Sequence, residues 1–459
     1  MESHWIMKEF GGIDFGDHRL TNRFLRTAYC MSENLGSSVN TACGSWSEAK
    51  GAYRMFDNEK VTNKEIFFSH QDQTLRRASQ CKSTMLVIQD TSFLNFQEQT
   101  STEGLGHIGT VNKRHSQGLV MHSALAFDPE REIAMGLIDL NIWSRKKEPH
   151  KKTDKERKHL PIEQKESMKW LNSLRVTQEV LSDLDKRVVT IADRESDVFE
   201  FMQEANRLEQ NFVIRAVRNR KIILEDGSYS LIWENLLKQQ VCGKLKVKVP
   251  ARAGQKVRMA ELEVRYCRLL IKPTAERTTV RKAAPIAVYG VMAKEINPPK
   301  SGGLEWMLLT DMSVESFNDA VEKISWYKCR WQIEIFHKVL KSVCRVEESQ
   351  LRSADQLKKF VTLCSVNAWR LLWMTKVART RPDLSCAEIL EEHEWKILQK
   401  LNAKSNTTPP TVQEAVLWIA KIGGFMGRKN DGDPGIITLS RGWIQFKNFV
   451  NLSLKASII

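Results

Sequence analysis

Three carboxylates in this 459-residue chain are set where side chains can converge on chemistry. Asp90 follows the apolar run Met85-Leu-Val-Ile88, and Asp193 follows Arg187-Val-Val-Thr-Ile-Ala192. Short apolar runs of this kind read as strands buried on both faces of a sheet, the first stopping at Gln89-Asp90-Thr91-Ser92. The C-terminal ends of neighbouring strands place their side chains in one crevice. An aspartate there can equally cap or turn the chain as it leaves the strand, so either one alone says little. The third acid, Glu334, stands in a segment that reads as one long helix from about Val314 to Val343. With Glu334 at zero and 100° per residue, Tyr327 falls at about +20°, Arg330 at about −40°, Lys338 at about +40°, Lys341 at about −20° and Trp331 at about 60°. One narrow face thus carries an acid, three bases and a phenol, with an indole beside them. A solvated face explains the charges but not the aromatic residues at the same angle.

Three carboxylates without histidine suit hard, oxygen-seeking Mg²⁺, with Mn²⁺ as a substitute. Two such ions about 3.5–4 Å apart would activate the attacking oxygen and stabilise the leaving oxygen of an in-line phosphodiester displacement. Nucleophilic serine or cysteine chemistry finds no G-x-S-x-G elbow and no evident Cys/His pair. No glycine-rich phosphate loop is present, which speaks against a nucleotide cofactor. The nine cysteines form no C-x-x-C pair and no zinc spacing, and read as reduced and mostly buried.

The elements that must position these residues can be read coarsely. The first sixty or so residues are helical and basic, Arg19 and Arg23 sharing one helix face four residues apart. That pair by itself reads as a solvated face. Residues 118–127 and 133–143 read as a hairpin closed at Asp128-Pro-Glu-Arg131. The charged run 144–159 reads equally as a solvated loop or a nucleic-acid contact, and 161–184 as a helix. From about 210 to 312 short strands dominate, Phe212–Arg215, Lys244–Val249, Glu261–Tyr266, Ala287–Met292 and Trp306–Leu309 among them, forming a β insertion. Beyond 346 the chain is helical, broken at Gly423-Gly424 and Asp433-Pro-Gly435.

Lys plus Arg outnumber Asp plus Glu by 70 to 55, a formal charge of +15, which favours a polyanionic partner without separating DNA, RNA and acidic membrane. No run of eighteen apolar residues and no signal peptide is present, so a cytoplasmic protein without a membrane partner is expected.

The spacing Tyr327-x2-Arg330-x3-Glu334-x6-Lys341 resembles the YREK signature of the IS-four family of DDE transposases. The likeness extends to Asp90-Thr-Ser92, to Asp193-Arg-Glu-Ser-Asp197, and to Glu295-Ile-Asn-Pro-Pro-Lys300 with Trp306-Met-Leu-Leu-Thr310. At the ends of the chain it takes in Gly16-Asp-His-Arg19, Gly51-Ala-Tyr-Arg54 and Ile419-Ala-Lys-Ile-Gly-Gly-Phe425. The resemblance implies an α/β, RNase H-like catalytic core, a mixed five-stranded sheet flanked by helices and interrupted by the β insertion. It implies a helical N-terminal DNA-binding domain over 1–66, the core over 67–345 and a helical C-terminal dimerisation domain over 346–459. Asp90, Asp193 and Glu334 are then the catalytic metal ligands, with two Mg²⁺ per site. The implied partners are double-stranded DNA, as the element's inverted-repeat ends and as target, and a second copy of the chain in the synaptic complex, in a bacterial cytoplasm beside the nucleoid. The implied reaction is cut-and-paste transposition: nicking, hairpin formation, hairpin opening and strand transfer. Tyr327, Arg330 and Lys341 would handle phosphates and Trp306 would stack a flipped base, a role for which an indole has independent physical grounds. Lys338, Trp331, Arg215, Arg220, Arg19, Arg23 and Arg54 are further expected DNA contacts. For Trp306 without the family, strand packing is the plainer reading.

Two other functions remain open on the sequence. A structure-specific nuclease of the same fold keeps the three acids but needs no hairpin apparatus. A non-catalytic DNA-binding regulator of transposition needs no intact triad.

Overall fold

The computed structural model describes residues 4–111, 114–146, 153, 156, 159–249, 258–273, 282–300, 302–402, 407–428 and 431–456. Of the charged run 144–159, residues 147–152, 154–155 and 157–158 therefore lie outside the described residues. Contacts divide the chain into two units: Met1–Gln80, Thr91–Lys147 and Gln332–Ile459 form the first, Cys81–Asp90 and Glu148–Trp331 the second.

The first unit begins with five helices, α1 (Trp5–Phe10), α2 (His18–Glu33), α3 (Val39–Cys43), α4 (Trp46–Asp57) and α5 (Asn63–Ala78). Each start has a local cause. Asp17 caps α2 by accepting from the Arg19 and Leu20 amides, and Thr62 with Glu65 forms a reciprocal capping box on α5. Strand β1 (Thr84–Asn95) enters this unit at Thr91, followed by β2 (Gly106–Val111), β3 (Arg114–Asp128) and β4 (Ile133–Trp143). β3 and β4 form the expected antiparallel hairpin, its turn held by Asp128, which accepts from the amides of Glu130 and Arg131. Helix α5 lies so close to β4 that a Cβ at Gly136, where φ is +147°, would stand 1.9 Å from Thr74 Oγ1.

In the second unit β1 continues backwards from Asp90 to Thr84 and pairs in parallel with β5 (Arg187–Ala192), reached through helix α6 (Met168–Leu181). After helix α7 (Phe199–Arg207), β6 (Asn211–Arg215) joins β5, also in parallel. Then come β7 (Lys221–Ile223), β8 (Tyr229–Leu231), helix α8 (Ile232–Lys238), β9 (Gly243–Val249), β10 (Arg258–Ile271), β11 (Ile286–Glu295) and β12 (Glu305–Thr310). β12 pairs antiparallel with β6, so the β-rich insertion extends the parallel sheet instead of forming a sheet of its own. Twelve strands among the described residues enter the sheet, not the five expected. The core of this unit packs Trp170, Phe199, Phe201 and Phe212 against Met292, Met307 and Leu309.

The expected single helix over 314–343 is two helices, α9 (Phe317–Lys328) and α10 (Trp331–Ser342). At the joint the amides of Cys329 and Arg330 bond to the carbonyls of Trp326 and Tyr327, three residues back instead of four. The projection onto one helical face consequently holds from Trp331 to Lys341 and fails for Tyr327 and Arg330. From Gln332 the chain is back in the first unit and ends in α11 (Ala354–Thr380), α12 (Glu392–Leu401), α13 (Val412–Ile422) and α14 (Ile436–Ala456). All nine cysteines are free, and Cys30, Cys81, Cys344, Cys364 and Cys386 are buried. Among the described residues no helix is long and apolar enough to cross a membrane.

Candidate active site

The parallel ladder of β1 and β5 ends at the pair Ile88 and Ile191. Two residues beyond that last pair come Asp90, still within β1, and Asp193, the first residue past the end of β5. β1 does not stop at Gln89 as the sequence suggested; it runs on to Asn95, and what stops at Ile88 is its pairing with β5. Asp193 follows β5 in extended conformation (φ −84°, ψ −167°) and accepts the Glu195 amide at 2.8 Å. Burial pushes its carboxyl up, opposed by that hydrogen bond and by the positive charges of Arg330 and Lys169.

Arg330, in the turn between α9 and α10, brings its guanidinium to 3.9 Å from the Asp90 carboxylate. The same guanidinium lies 5.9 Å from the Tyr327 ring centre and 5.4 Å from that of Trp331. Tyr327 is buried, which pushes its phenol up, while Arg330 and Arg215 act in the opposite direction. Its ring meets that of Trp306 edge-on, 6.3 Å between centroids. Arg215, at the end of β6, donates to the Glu305 carbonyl at 2.9 Å. The second unit thus gathers Asp90, Asp193, Arg215, Trp306, Tyr327 and Arg330, with exposed Trp331 at the edge.

Arg220 is elsewhere. Its side chain is 5 % exposed, pairs with the Asp197 carboxylate at 2.9 Å and donates to the Asp197 carbonyl. Asp197 also accepts the amides of Val217 and Arg218. The expected DNA contact at Arg220 is therefore corrected: this arginine anchors the loop after β6 from inside the fold.

Glu334 lies on α10 in the first unit, half-buried. Lys338, one turn on, is exposed. Lys341 donates to the Phe93 carbonyl at 2.6 Å and stands 3.6 Å from Glu347, so it ties α10 to β1. Arg19 and Arg54 are exposed, while Arg23 bonds Glu48 at 2.8 Å. Among the described residues no three His, Cys, Asp or Glu side chains form a ready metal-binding group. Two residues escaped the sequence reading. Lys169, at the start of α6, is buried beside Glu195 (3.2 Å) and acts on Asp193. His337 on α10 is buried and hydrogen-bonded to Ser123 of β3 at 2.8 Å. Neither carried a motif; a buried polar residue one helical turn from Glu334 was the only available signal for His337.

Three family models match the chain: Transposase DNA-binding over residues 2–61, Transposase DDE domain over 157–368 and Transposase Tn5 dimerisation domain over 366–457. The chain belongs to the IS-four family of DDE transposases. The DDE match takes in Asp193 and the whole signature from Tyr327 to Lys341, while Asp90 lies before it and is reached through strand pairing. The transposase is an endonuclease and strand transferase dependent on a divalent metal, typically Mg²⁺. It binds DNA and forms a homodimer.

Proposed function

We propose that this transposase moves a bacterial insertion sequence by cut-and-paste: a nick at each end, attack of the freed 3′-OH on the opposite strand to give a hairpin, hairpin opening, and joining of the 3′-OH to target DNA. The observation that carries the reading is that Asp90 and Asp193 each follow by two residues the last pair of two neighbouring parallel strands, with Arg330 and Lys169 supplying positive charge. An all-carboxylate donor set fits hard divalent cations, and a cation would relieve the cost of keeping the partly buried Asp193 charged. Asp90, Asp193 and Glu334 are the proposed holders of two Mg²⁺ ions, with Mn²⁺ as substitute. When bound, these supply activation of the attacking oxygen and stabilisation of the leaving one.

The protein's own residues then have defined work. Arg330, Tyr327 and Arg215 orient phosphates beside the acids, and Lys338 and Lys341 extend that role along α10. Trp306, held edge-on by Tyr327, offers its indole to a base displaced when a terminal hairpin forms. The helical segment before residue 67, with Arg19, Arg23 and Arg54, reads the element's end, and α14 exposes Phe449 and Leu452 for the second copy. The site of action is the cytoplasm, on nucleoid DNA.

The test is cleavage of DNA carrying the element's own flanking ends, with Mg²⁺ and with EDTA, resolved on denaturing gels. Metal-dependent nicks followed by hairpins are expected. Nicks without hairpins would transfer the reading to a structure-specific nuclease, and tight end binding without cleavage to a regulator of transposition.

A further inference from the structure

Within the first unit, helix α10 buries one face and carries Glu334 on the other. With Glu334 at zero and 100° per residue, the fully buried Ile333, Phe336, Val339 and Leu340 fall at about −100°, −160°, +140° and −120°, while Lys338 and Lys341 fall at about +40° and −20°. His337 falls at about −60°, on the border between the apolar face and the face of the acid. It is nonetheless buried, 7 % exposed, and its Nε2 stands 2.8 Å from the hydroxyl of Ser123, itself fully buried in β3. Apolar packing has no direction and lets a helix roll, whereas a hydrogen bond to the neighbouring sheet, one turn from Glu334, fixes an angle. Lys341 reaches the Phe93 carbonyl from the same helix, but through a flexible four-carbon stem, so the short imidazole is what sets the roll. β3 also holds β1 where that strand enters the unit: the His122 imidazole, next to Ser123, stands 3.0 Å from the hydroxyl of Thr91. A roll of about 10° carries a carboxylate about 5–6 Å from the helix axis through about 1 Å. Mg²⁺ demands near-ideal octahedral geometry with oxygens at about 2.0–2.1 Å, while Ca²⁺ accepts a flexible shell at about 2.3–2.6 Å.

We propose that His337 is a positioning residue for metal binding: bonded to Ser123, it fixes the roll of α10 and so holds the Glu334 carboxylate to the geometry that Mg²⁺ requires and Ca²⁺ does not. The imidazole itself touches neither metal nor DNA; it acts through the helix it shares with Glu334. This inference rests on the assignment of Glu334 as a metal ligand.

The experiment measures Mn²⁺ bound to the full-length protein, by electron paramagnetic resonance of the free ion, and its displacement by Mg²⁺ and by Ca²⁺. It is run with and without DNA that stops at the element's terminus and so offers nothing to cut, the DNA alone serving as blank. Wild type, Ser123→Ala, His337→Leu, His337→Gln and Glu334→Gln are compared, with melting curves to show that each is folded. Loss of a group that orients a metal ligand typically weakens metal binding by about 10–100-fold. Ser123→Ala and His337→Leu are therefore expected to weaken Mg²⁺ binding about tenfold or more and Ca²⁺ binding by less than about threefold. His337→Gln, whose amide nitrogen can stand where Nε2 stood, should stay close to wild type. A folded Ser123→Ala with unchanged Mg²⁺ binding, or with equal losses of Mg²⁺ and Ca²⁺, overturns the proposal. Wild-type Mg²⁺ binding by Glu334→Gln instead overturns the ligand assignment beneath it.

Discussion

Arg220 and Arg330 show that residue type does not fix a residue's work. Both are arginines close to an aspartate, but Arg220 is almost wholly buried and donates to the Asp197 carbonyl, whereas the Arg330 guanidinium stands 3.9 Å from Asp90. Removing one partner of a buried ion pair typically costs about 3–5 kcal/mol, because the other charge is left without solvent. Arg220→Ala is accordingly expected to lower thermal stability by several kcal/mol, read as a fall in Tm, whether or not DNA is present. A variant with wild-type Tm and weakened end binding would return Arg220 to the DNA surface. The acids should behave in the opposite way. Glu334→Ala and Asp193→Asn are expected to bind end DNA within about threefold of wild type and to lose cleavage by about a thousandfold or more, the order at stake when charge stabilisation of the reacting centre is removed. Normal cleavage by either variant would remove that residue from the proposed metal site.

At the scale of elements, α10 is the piece whose position matters most, since it carries Glu334. Within its own unit it is fixed by His337 to Ser123 of β3 and by Lys341 to the Phe93 carbonyl of β1, one and two helical turns beyond Glu334. Burial, with Lys341 nearby, lowers the His337 imidazole to about 3. A base whose folded pKa is depressed stabilises the fold above its unfolded value near 6.5, and that stability is lost as pH falls from there towards 3, at about 1.4 kcal/mol per pH unit. The double variant Ser123→Ala/His337→Leu, which removes both polar partners together, should therefore show a flatter stability–pH curve between 6.5 and 3. A curve parallel to wild type would show that His337 does not titrate against folding. The turn between α9 and α10 carries Arg330, whose guanidinium lies 3.9 Å from the Asp90 carboxylate.

For the molecule as a whole, the first unit joins both ends of the chain. Lys447 of α14 is buried between Glu33 of α2 and Glu394 of α12, bonding the former at 2.6 Å, and His4 bonds Glu33 at 3.1 Å. Burial alone would raise the Glu33 carboxyl, but Lys447 and His4 outweigh it and hold it at about 2. The Lys447 ammonium is displaced upward by its two carboxylates despite burial. Glu33 thus contributes stability above about pH 4.5 that disappears as pH falls towards 2, while the Lys447 contribution is present below about pH 10.5 and is lost above it. Lys447→Met should lower Tm sharply and narrow this pH range, and an unchanged acid limb would contradict the assignment to Glu33. DNA binding belongs to this scale too. With a net charge of +15, end affinity should fall steeply and linearly on a log–log plot against salt, and a flat plot would rule out phosphate contacts as its main source.

The amino-acid sequence by itself determined what depends on short-range pattern. The apolar runs marked β1 and β5 and the acids that follow them, Asp128 marked the hairpin turn, and the spacing from Tyr327 to Lys341 marked the family. Hydrophobic periodicity and turn chemistry act over a few residues, so one chain suffices to read them. Tertiary structure decided what depends on distant partners. That β12 pairs β6, making the insertion part of one sheet, is a long-range ladder with no local signature. The helix joint at Cys329 has no proline or glycine to announce it, and Arg220 could not be assigned to the interior until Asp197 was placed beside it. His337 and Ser123 are 214 residues apart, and only the packing of α10 on β3 makes them a pair. A side chain's burial and partner set its charge and freedom, and both come from segments far away in the chain.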